Sequence, residues 1–288
     1  MTARSYLFVP GDQPTKLDRA LACGADAVIA DLEDAVAPSA KTAARTTVAA
    51  WIGALVDTGL PEIWVRVNAS QLAVEDARAV IGASLAGLSL PKVNGPEQIA
   101  RLDALVCAEE QRAGLPTRSV RFLPLLESAA GILSVQAIAT APRVVGLGLG
   151  ELDLCGELGI APSQGEPELL PIRLQVVLAS AAAGLQAPVA PVATDYRDLD
   201  ALRDSTQALK RVGFGSRWAI HPAQVPIINE VFTPTTAEIS AAQHLIEQHQ
   251  AALAAGRGVF VDDQGRMADE AVIRSARRIL AQARLAER

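Results

Sequence analysis

Two acidic residues, Glu127 and Asp153, each follow a short apolar segment of the chain. Arg121–Leu126 ends directly before Glu127, and Val144–Leu149 ends four residues before Asp153. Apolar runs of this length are typical of buried β-strands. Carboxylates just past neighbouring strands are suitable ligands for a hard divalent cation, and either acid alone is equally suited to cap the helix that follows. The pair predicts a metal site, with helix capping as the alternative.

Polar residues also stand at the ends of other strand-like segments. A concentration of acids repels itself unless a cation or an arginine neutralises it, so we expect both a metal ion and Arg66 at this place. Oxygen ligands favour Mg²⁺, with Mn²⁺ as the alternative, and the lack of His or Cys beside the acids argues against zinc. For His221, a packed or hydrogen-bonded structural role is favoured over a chemical one. These strand-end residues are Asp31, Glu33, Asp34, Arg66, Lys92 and His221.

Apolar segments alternate with stretches rich in Ala, Leu, Arg and Glu, among them Pro38–Val56, Pro96–Ala113 and Leu169–Ala183. This alternation predicts βα units and a parallel sheet whose strands are buried on both faces. Eight units within residues 1–222 favour a closed (β/α)8 TIM barrel, with a doubly wound open sheet as the alternative. The eight predicted strands are Ser5–Pro10, Ala27–Leu32, Ile63–Asn68, Gly87–Val93, Arg121–Glu127, Val144–Gly150, Pro188–Thr194 and Arg217–Pro222.

Residues 223–288 extend beyond the eighth predicted strand and are interpreted as a C-terminal helical extension. Thr235 and Glu238 form a capping box for a helix that runs to about Ala255. A hairpin is predicted over Val259–Met267, followed by a last helix over Asp269–Ala286. This extension either closes the bottom of the barrel or packs against another subunit, and we favour the second arrangement.

Composition excludes several classes of function. The net charge of −6 over 288 residues and the absence of a basic block make nucleic acid or an anionic membrane an improbable partner. No run approaches the roughly 20 apolar residues of a membrane helix. The three cysteines lie far apart and are expected to be free thiols, so a cytoplasmic protein is predicted. His244 and His249 are expected to be exposed on an outer helix.

The glycines at 146, 148 and 150 suggest a dinucleotide-binding loop at first sight. The third glycine of the G-x-G-x-x-G pattern is missing, and no acid follows about 20 residues later in the right context, so this interpretation is rejected. The glycines are instead expected to let the backbone pass close to a ligand.

Seven short motifs resemble, in the same order, those of the citrate lyase β-subunit-like family, which includes malyl-CoA lyases and belongs with the metal-dependent hydroxy-ketoacid aldolases. Each motif alone is weak, but the ordered set covers almost the whole chain. The motifs are RSYLFVPG at 4–11, DLEDAV at 31–36, VRVN at 65–68, LPK at 90–92, LESA at 126–129, DLCGELG at 153–159 and IHPAQ at 220–224.

The resemblance implies a (β/α)8 barrel with Glu127 and Asp153 as Mg²⁺ ligands. Arg66 then binds the carboxylate or carbonyl oxygen of the substrate, and Glu33 and Asp34 hold metal-bound waters. Residues 265–269 resemble the C-terminal segment whose aspartate reaches a neighbouring subunit's active site, which makes Asp269 the candidate acid or base. Ala268, Glu270 and Ala271 depart from the branched residue and the proline that usually flank this aspartate.

The resemblance also implies a reaction. The expected activity is reversible carbon–carbon cleavage of a carboxylated 3-hydroxyacyl-CoA, such as malyl-, citramalyl- or citryl-CoA, to acetyl-CoA and a 2-oxo acid. Arg4 and Lys92 are candidate contacts to substrate or to the CoA phosphates, and each is equally well explained as structural. The alternatives are a thioesterase on the same acyl-CoA, a citrate lyase subunit acting on an acyl carrier, and a non-catalytic barrel that binds CoA esters. A homo-oligomer, trimeric or hexameric, is expected from the family.

Overall fold

Eight parallel strands close into a barrel in which each strand is hydrogen-bonded to the next and the eighth to the first. The computed structural model describes residues 3–56, 59, 61–69 and 71–286. The chain divides into a barrel unit, Ala3–Asn229, and a C-terminal unit that begins at Glu230. The TIM barrel that the βα alternation predicts is therefore confirmed, and the open sheet is excluded.

The strands lie where the apolar segments predict them, but two are much shorter. The sixth predicted strand keeps only Gly148–Leu149 and an isolated bridge between Phe122 and Val144. The seventh keeps Val189–Ala190, because Pro188 and Pro191 have no N–H to donate to a ladder. In chain order the strands are β1 Ser5–Pro10, β2 Ala27–Asp31, β3 Glu62–Arg66, β4 Gly87–Leu90, β5 Arg121–Leu126, β6 Gly148–Leu149, β7 Val189–Ala190, β8 Ser216–Ala219, β9 Phe260–Val261 and β10 Met267–Ala268.

Helices follow the strands around the barrel, and some directly follow a short 3₁₀ turn, over Pro38–Ala40, Pro167–Leu169 and Pro222–Gln224. The sequence predicts the first of these turns as part of one continuous helix. Prolines at the first helical positions explain these starts, since they lack the N–H that the first turn leaves unpaired. The helices are α1 Pro14–Ala20, α2 Lys41–Ala54, α3 Leu72–Val80, α4 Pro96–Arg112, α5 Ala129–Leu133, α6 Val135–Ala139, α7 Glu151–Leu158, α8 Leu170–Ala182, α9 Leu199–Val212, α10 Val225–Phe232, α11 Thr236–Ala254 and α12 Glu270–Ala286.

Three aromatic side chains fill the interior of the barrel. The ring of Tyr6 lies edge-on to Trp64 and Trp218, with centroids 6.1 and 5.3 Å apart. Room for the indoles comes from two strand glycines: a Cβ on Gly87 would lie 2.3 Å from the ring of Trp64, and a Cβ on Gly148 would lie 2.3 Å from the ring of Trp218. Gly148 thus accommodates a core side chain and not a ligand, which corrects the sequence-based expectation.

The C-terminal unit contains α11, α12 and an antiparallel hairpin of β9 and β10. The capping box is present: the backbone N–H of Thr235 donates to Glu238 Oε2 over 2.7 Å, and the Glu238 N–H donates back to Thr235 Oγ1. His249 is buried beside Phe260, so the expectation that this histidine is exposed was wrong. His244 is exposed and pairs with Asp263 at 2.7 Å.

Candidate functional site

A cavity of about 400 Å³ opens at the carboxyl ends of the barrel strands. Both predicted metal ligands, Glu127 and Asp153, line it together with Arg66 and Asp34. This is the end of a TIM barrel at which side chains from several strands meet. The structure therefore brings together residues that are widely separated in the sequence.

Glu127 directly follows β5, and Asp153 lies in the first turn of α7. The two elements are adjacent because β5 pairs with β6, and the Gly150 N–H donates to the Leu126 carbonyl over 2.9 Å. Gly150 also has a steric role, since a Cβ there would lie 2.8 Å from the Cβ of Glu127. Glycine at this position lets the Glu127 side chain lie against the start of the helix that carries Asp153.

The electrostatics of Glu127 indicate a carboxylate that lacks a counter-charge. Burial, together with the charges of Glu33 and Asp153, raises the pKa of Glu127 to about 7. The backbone N–H of Lys92, which donates to Glu127 Oε1 over 2.6 Å, only partly offsets this rise. A cation bound by Glu127 and Asp153 would favour the ionised forms of both groups.

The donor set fits Mg²⁺. The part of the chain that the structure describes contains no group of three or more His, Cys, Asp or Glu side chains arranged to hold a metal ion. Mg²⁺ does not require such a cage, because it is commonly held by one or two carboxylates with water and substrate oxygens at its other positions. Zinc, which favours nitrogen and sulfur ligands, does not fit this pair.

Arg66 is held in one orientation by the carboxylate of Asp31. Its Nε and Nη2 donate to the two carboxylate oxygens over 2.7 and 2.6 Å, and the ring of Phe8 lies 4.8 Å from its Cζ. Its Nη1 lies 3.0 Å from Glu33 and 3.7 Å from Asp34. A guanidinium fixed in this way is suited to bind a carboxylate or carbonyl oxygen with defined geometry.

Asp31, which holds Arg66, is a residue to which sequence reasoning gave no role. It is the last residue of β2, lies opposite Arg66 in the β2–β3 register, and also accepts the backbone N–H groups of Glu33 and Ala35. The sequence did contain a sign of this pairing, because an acid and an arginine end two consecutive strands. It could be used only once the register between those strands was known.

Glu33 and Lys92 connect Arg66 to Glu127. Glu33 is buried, and Lys92 Nζ lies 3.1 Å from it and 3.7 Å from Asp34. Burial raises the pKa of Glu33, and the charge of Arg66 opposes this rise. Lys92 has a backbone φ of +52°, a conformation rare for a residue with a side chain, and this conformation accompanies its N–H bond to Glu127. Backbone strain of this kind is often found at functional sites.

Two predicted site residues, Arg4 and Asp269, are not among those that line the cavity. Arg4 precedes β1 and pairs with Asp26, which precedes β2, at 2.8 Å; both lie at the amino end of the barrel, so a substrate contact by Arg4 is not supported. Asp269 belongs to the C-terminal unit and accepts the backbone N–H of Ala271 at the start of α12. Its acid–base role stays a prediction.

His221 has the structural role that the sequence favours. Its Nδ1 accepts the backbone N–H of Ala223 over 3.2 Å, and its ring stacks on Tyr196 with centroids 4.6 Å apart. The imidazole is thereby placed at the start of a 3₁₀ turn over Pro222–Gln224.

A family model described as HpcH/HpaI aldolase/citrate lyase matches residues 4–222. The chain belongs to this family. It is 33% identical to an L-malyl-CoA/beta-methylmalyl-CoA lyase of Cereibacter sphaeroides, an alignment that covers 98% of this chain and 95% of that protein. It is also 33% identical to a (3S)-malyl-CoA thioesterase of the same species, over 97% of this chain and 94% of the other.

The fold agrees with this assignment. A crystal structure of CitE from Mycobacterium tuberculosis in complex with magnesium, acetoacetate and coenzyme A is similar with a TM-score of 0.77, at 27% identity over 97% of each chain. The family description and the names of the relatives identify the chain as an enzyme of the lyase group. None of the helices that the structure describes has the length and apolar character needed to span a membrane.

Proposed function

We propose that the chain is a Mg²⁺-dependent lyase that cleaves or forms a carboxylated 3-hydroxyacyl-CoA. The observation that carries this proposal is the meeting of Glu127 and Asp153 in one cavity with Arg66, where negative charge is left without a counter-ion. The similarity to a malyl-CoA lyase, and to a CitE structure that contains magnesium and coenzyme A, supports the substrate class. Malyl-, citramalyl- and citryl-CoA all fit this class.

Glu127 and Asp153 would hold the metal ion, with Mn²⁺ as an alternative to Mg²⁺. When bound, the ion supplies Lewis acidity at the oxygen that changes from hydroxyl to carbonyl. Glu33 and Asp34 would orient water close to it. Arg66, fixed by Asp31, would bind the substrate carboxylate and align the bond to be broken. Lys92 Nζ, already paired with Glu33, is a further candidate contact to the substrate.

The reaction requires two proton transfers. A base removes the hydroxyl proton, the oxygen's electron pair forms the carbonyl group, and the carbon–carbon bond breaks to leave an enolate on the acetyl thioester. An acid then protonates the enolate carbon to give acetyl-CoA. We assign one of these transfers to Asp269 acting in the cavity of a second copy of the chain. The proposal includes a homo-oligomer, most simply a trimer, which light scattering of the purified protein would test.

Thioester hydrolysis is the second candidate, because a (3S)-malyl-CoA thioesterase is as similar to this chain as the malyl-CoA lyase is. Here water adds to the thioester carbonyl and the CoA thiolate leaves, so that free thiol and a hydroxy acid are formed. A β subunit of a citrate lyase complex, acting on a citryl group on an acyl carrier, is the third, and the family description includes citrate lyase.

An assay with malyl-, citramalyl- and citryl-CoA in the presence of Mg²⁺ separates these candidates. A lyase releases 2-oxo acid and acetyl-CoA without free thiol, and a thioesterase releases free thiol without 2-oxo acid. Inactivity on all three esters, with activity on a citryl acyl carrier, would favour the citrate lyase subunit. Full activity in EDTA would exclude metal-dependent chemistry altogether.

A further inference from the structure

A second cluster of charged side chains lies beside the cavity, around Arg173 of α8. Arg173 Nε and Nη2 donate to the two carboxylate oxygens of Glu151 over 2.6 and 2.7 Å, and Nη2 also donates to Glu166 over 2.6 Å. Arg173 and Glu151 are both more than nine-tenths buried. A bidentate pair of this kind fixes the distance and the angle between the elements that carry it.

The elements joined in this way include the start of α7. Glu151 is the first residue of α7, and Asp153 lies in the same turn. Gly150, the N-cap, contributes no side-chain bond to that turn. The Arg173–Glu151 pair is thus a buried side-chain connection between the first turn of α7 and α8.

Asp153 belongs to the turn that this pair holds. Within the residues that the structure describes, its carboxylate has no hydrogen-bond or ion-pair partner, and it lines the cavity from an exposed position. Its location is therefore determined by the backbone of α7. Glu166 joins the same cluster from the connection to α8 and has a backbone φ of +55°, which is uncommon for a residue other than glycine.

We infer that Arg173 is a positioning residue for the cation site: through Glu151 it holds the first turn of α7 so that Asp153 faces Glu127. This inference rests on the proposed role of Asp153 and Glu127 as metal ligands. Neither Arg173 nor Glu151 needs to touch the ion. Residues that orient metal ligands in this way commonly change metal affinity by about 10- to 100-fold when they are mutated.

The test is the Mg²⁺ affinity of Arg173→Met and Glu151→Gln, measured by isothermal titration calorimetry. These substitutions change the local charge in opposite directions. If the cluster acted only through its charge, removing the arginine would tighten Mg²⁺ binding and removing the glutamate would weaken it. Positioning predicts that both variants weaken it, by about 10-fold or more.

Arg143→Met is the matched control, because Arg143 is also a buried arginine that pairs with two acids, Asp103 and Glu110. Arg143 precedes the sixth strand at the amino end of the barrel. We therefore expect the Mg²⁺ affinity of the Arg143→Met variant to stay within about 2-fold of wild type. Thermal unfolding identifies the variants that are folded at the titration temperature. If a methionine variant is not folded, Arg173→Lys and Arg143→Lys replace the pair, because lysine keeps the charge and loses the bidentate geometry.

The outcomes are distinguishable. Weakened binding in both Arg173 and Glu151 variants, with the control unchanged, supports the inference. Wild-type affinity in a folded Arg173 variant, or tighter binding in Arg173→Met, would overturn it and leave the proposed metal site intact. A wild-type protein that does not bind Mg²⁺ would instead overturn the proposed function, and the inference with it.

Discussion

Arg143, which is buried, and Arg66, which is partly buried, lie at opposite ends of the barrel and have different electrostatic surroundings. Arg143 donates to Glu110 over 2.7 and 2.8 Å, to Asp103, and to the Val120 carbonyl over 3.0 Å. Burial alone would raise the pKa of Glu110, but hydrogen bonds from Arg143 and from the backbone N–H groups of Val120 and Arg118 lower it to about 2. Each charge in this cluster has a partner.

The cluster around Arg66 is not neutralised in the same way. In the described part of the chain, its cations are Arg66 and Lys92, while the carboxylates that surround them are those of Asp31, Glu33, Asp34, Glu127 and Asp153. Burial and the charges of Glu33 and Asp153 raise the pKa of Glu127 to about 7, whereas the pKa of Glu110 falls to about 2. A fully paired network stabilises the fold, whereas an excess of like charge around a buried carboxylate is what we expect where a group of opposite charge binds.

The largest effect on turnover is expected when Glu127 or Asp153 is changed. Glu127→Gln and Asp153→Asn should each lower Mg²⁺-dependent turnover by roughly 1,000-fold or more, because the electrophilic catalysis supplied by the ion is worth several kcal/mol. Without Mg²⁺, the melting temperature of each variant should equal or exceed that of wild type, since repulsion among the acids is reduced. Turnover assays and calorimetric melting check this. Retention of wild-type turnover by either variant would remove that residue from the metal site.

Arg143→Met should have the opposite profile. Removing this arginine leaves Glu110 and Asp103 without their buried partner, which typically costs about 3–5 kcal/mol of unfolding free energy. Turnover per folded molecule should stay close to wild type. Urea unfolding together with activity measured well below the transition checks both parts. A loss of turnover in fully folded protein would show that the two ends of the barrel are coupled.

Arg66→Lys should reduce kcat/KM by roughly 100-fold, because lysine keeps the charge but loses the bidentate pair with Asp31 that fixes its direction. The melting temperature should change less than in Arg143→Met, since a charge remains beside Asp31. Steady-state kinetics with the best of the three CoA esters provides the measurement. A change confined to stability would assign Arg66 to the fold and not to the site.

The smallest effect is expected on the free energy of unfolding at acidic pH, through Glu110. Glu110 has a lower pKa in the folded protein than its ordinary 4.5, so the unfolded chain takes up a proton first as the pH falls. The stabilisation by this group is therefore complete above pH 4.5 and is lost between pH 4.5 and about 2, at no more than about 1.4 kcal/mol per pH unit. Glu110→Gln should lack this part of the acid sensitivity in urea titrations. An unchanged pH profile would contradict the pairing.

Local features of the sequence were sufficient to predict the barrel and which of several polar residues lie at its carboxyl end. Strands are recognisable because each is a short apolar run, and a residue that ends such a run in a βα unit must lie at the carboxyl end of the barrel. Glu127 and Arg66 could be located by this rule, and Asp153 lies just past the sixth strand. The same rule applied to Arg4 should have excluded it, because it precedes its strand.

Which charged side chains pair with each other was decided only by the tertiary structure. The Asp31–Arg66 pair depends on the register between β2 and β3, the Glu127–Lys92 bond on the left-handed backbone of Lys92, and the Arg173–Glu151 pair on how α8 docks beside α7. The burial of His249 likewise depends on a hairpin that follows it in the chain. Sequence periodicity reports which face of an element is apolar, because that is a local property. It does not report which charges meet, since their distances are set by closure of the barrel and packing of its helices.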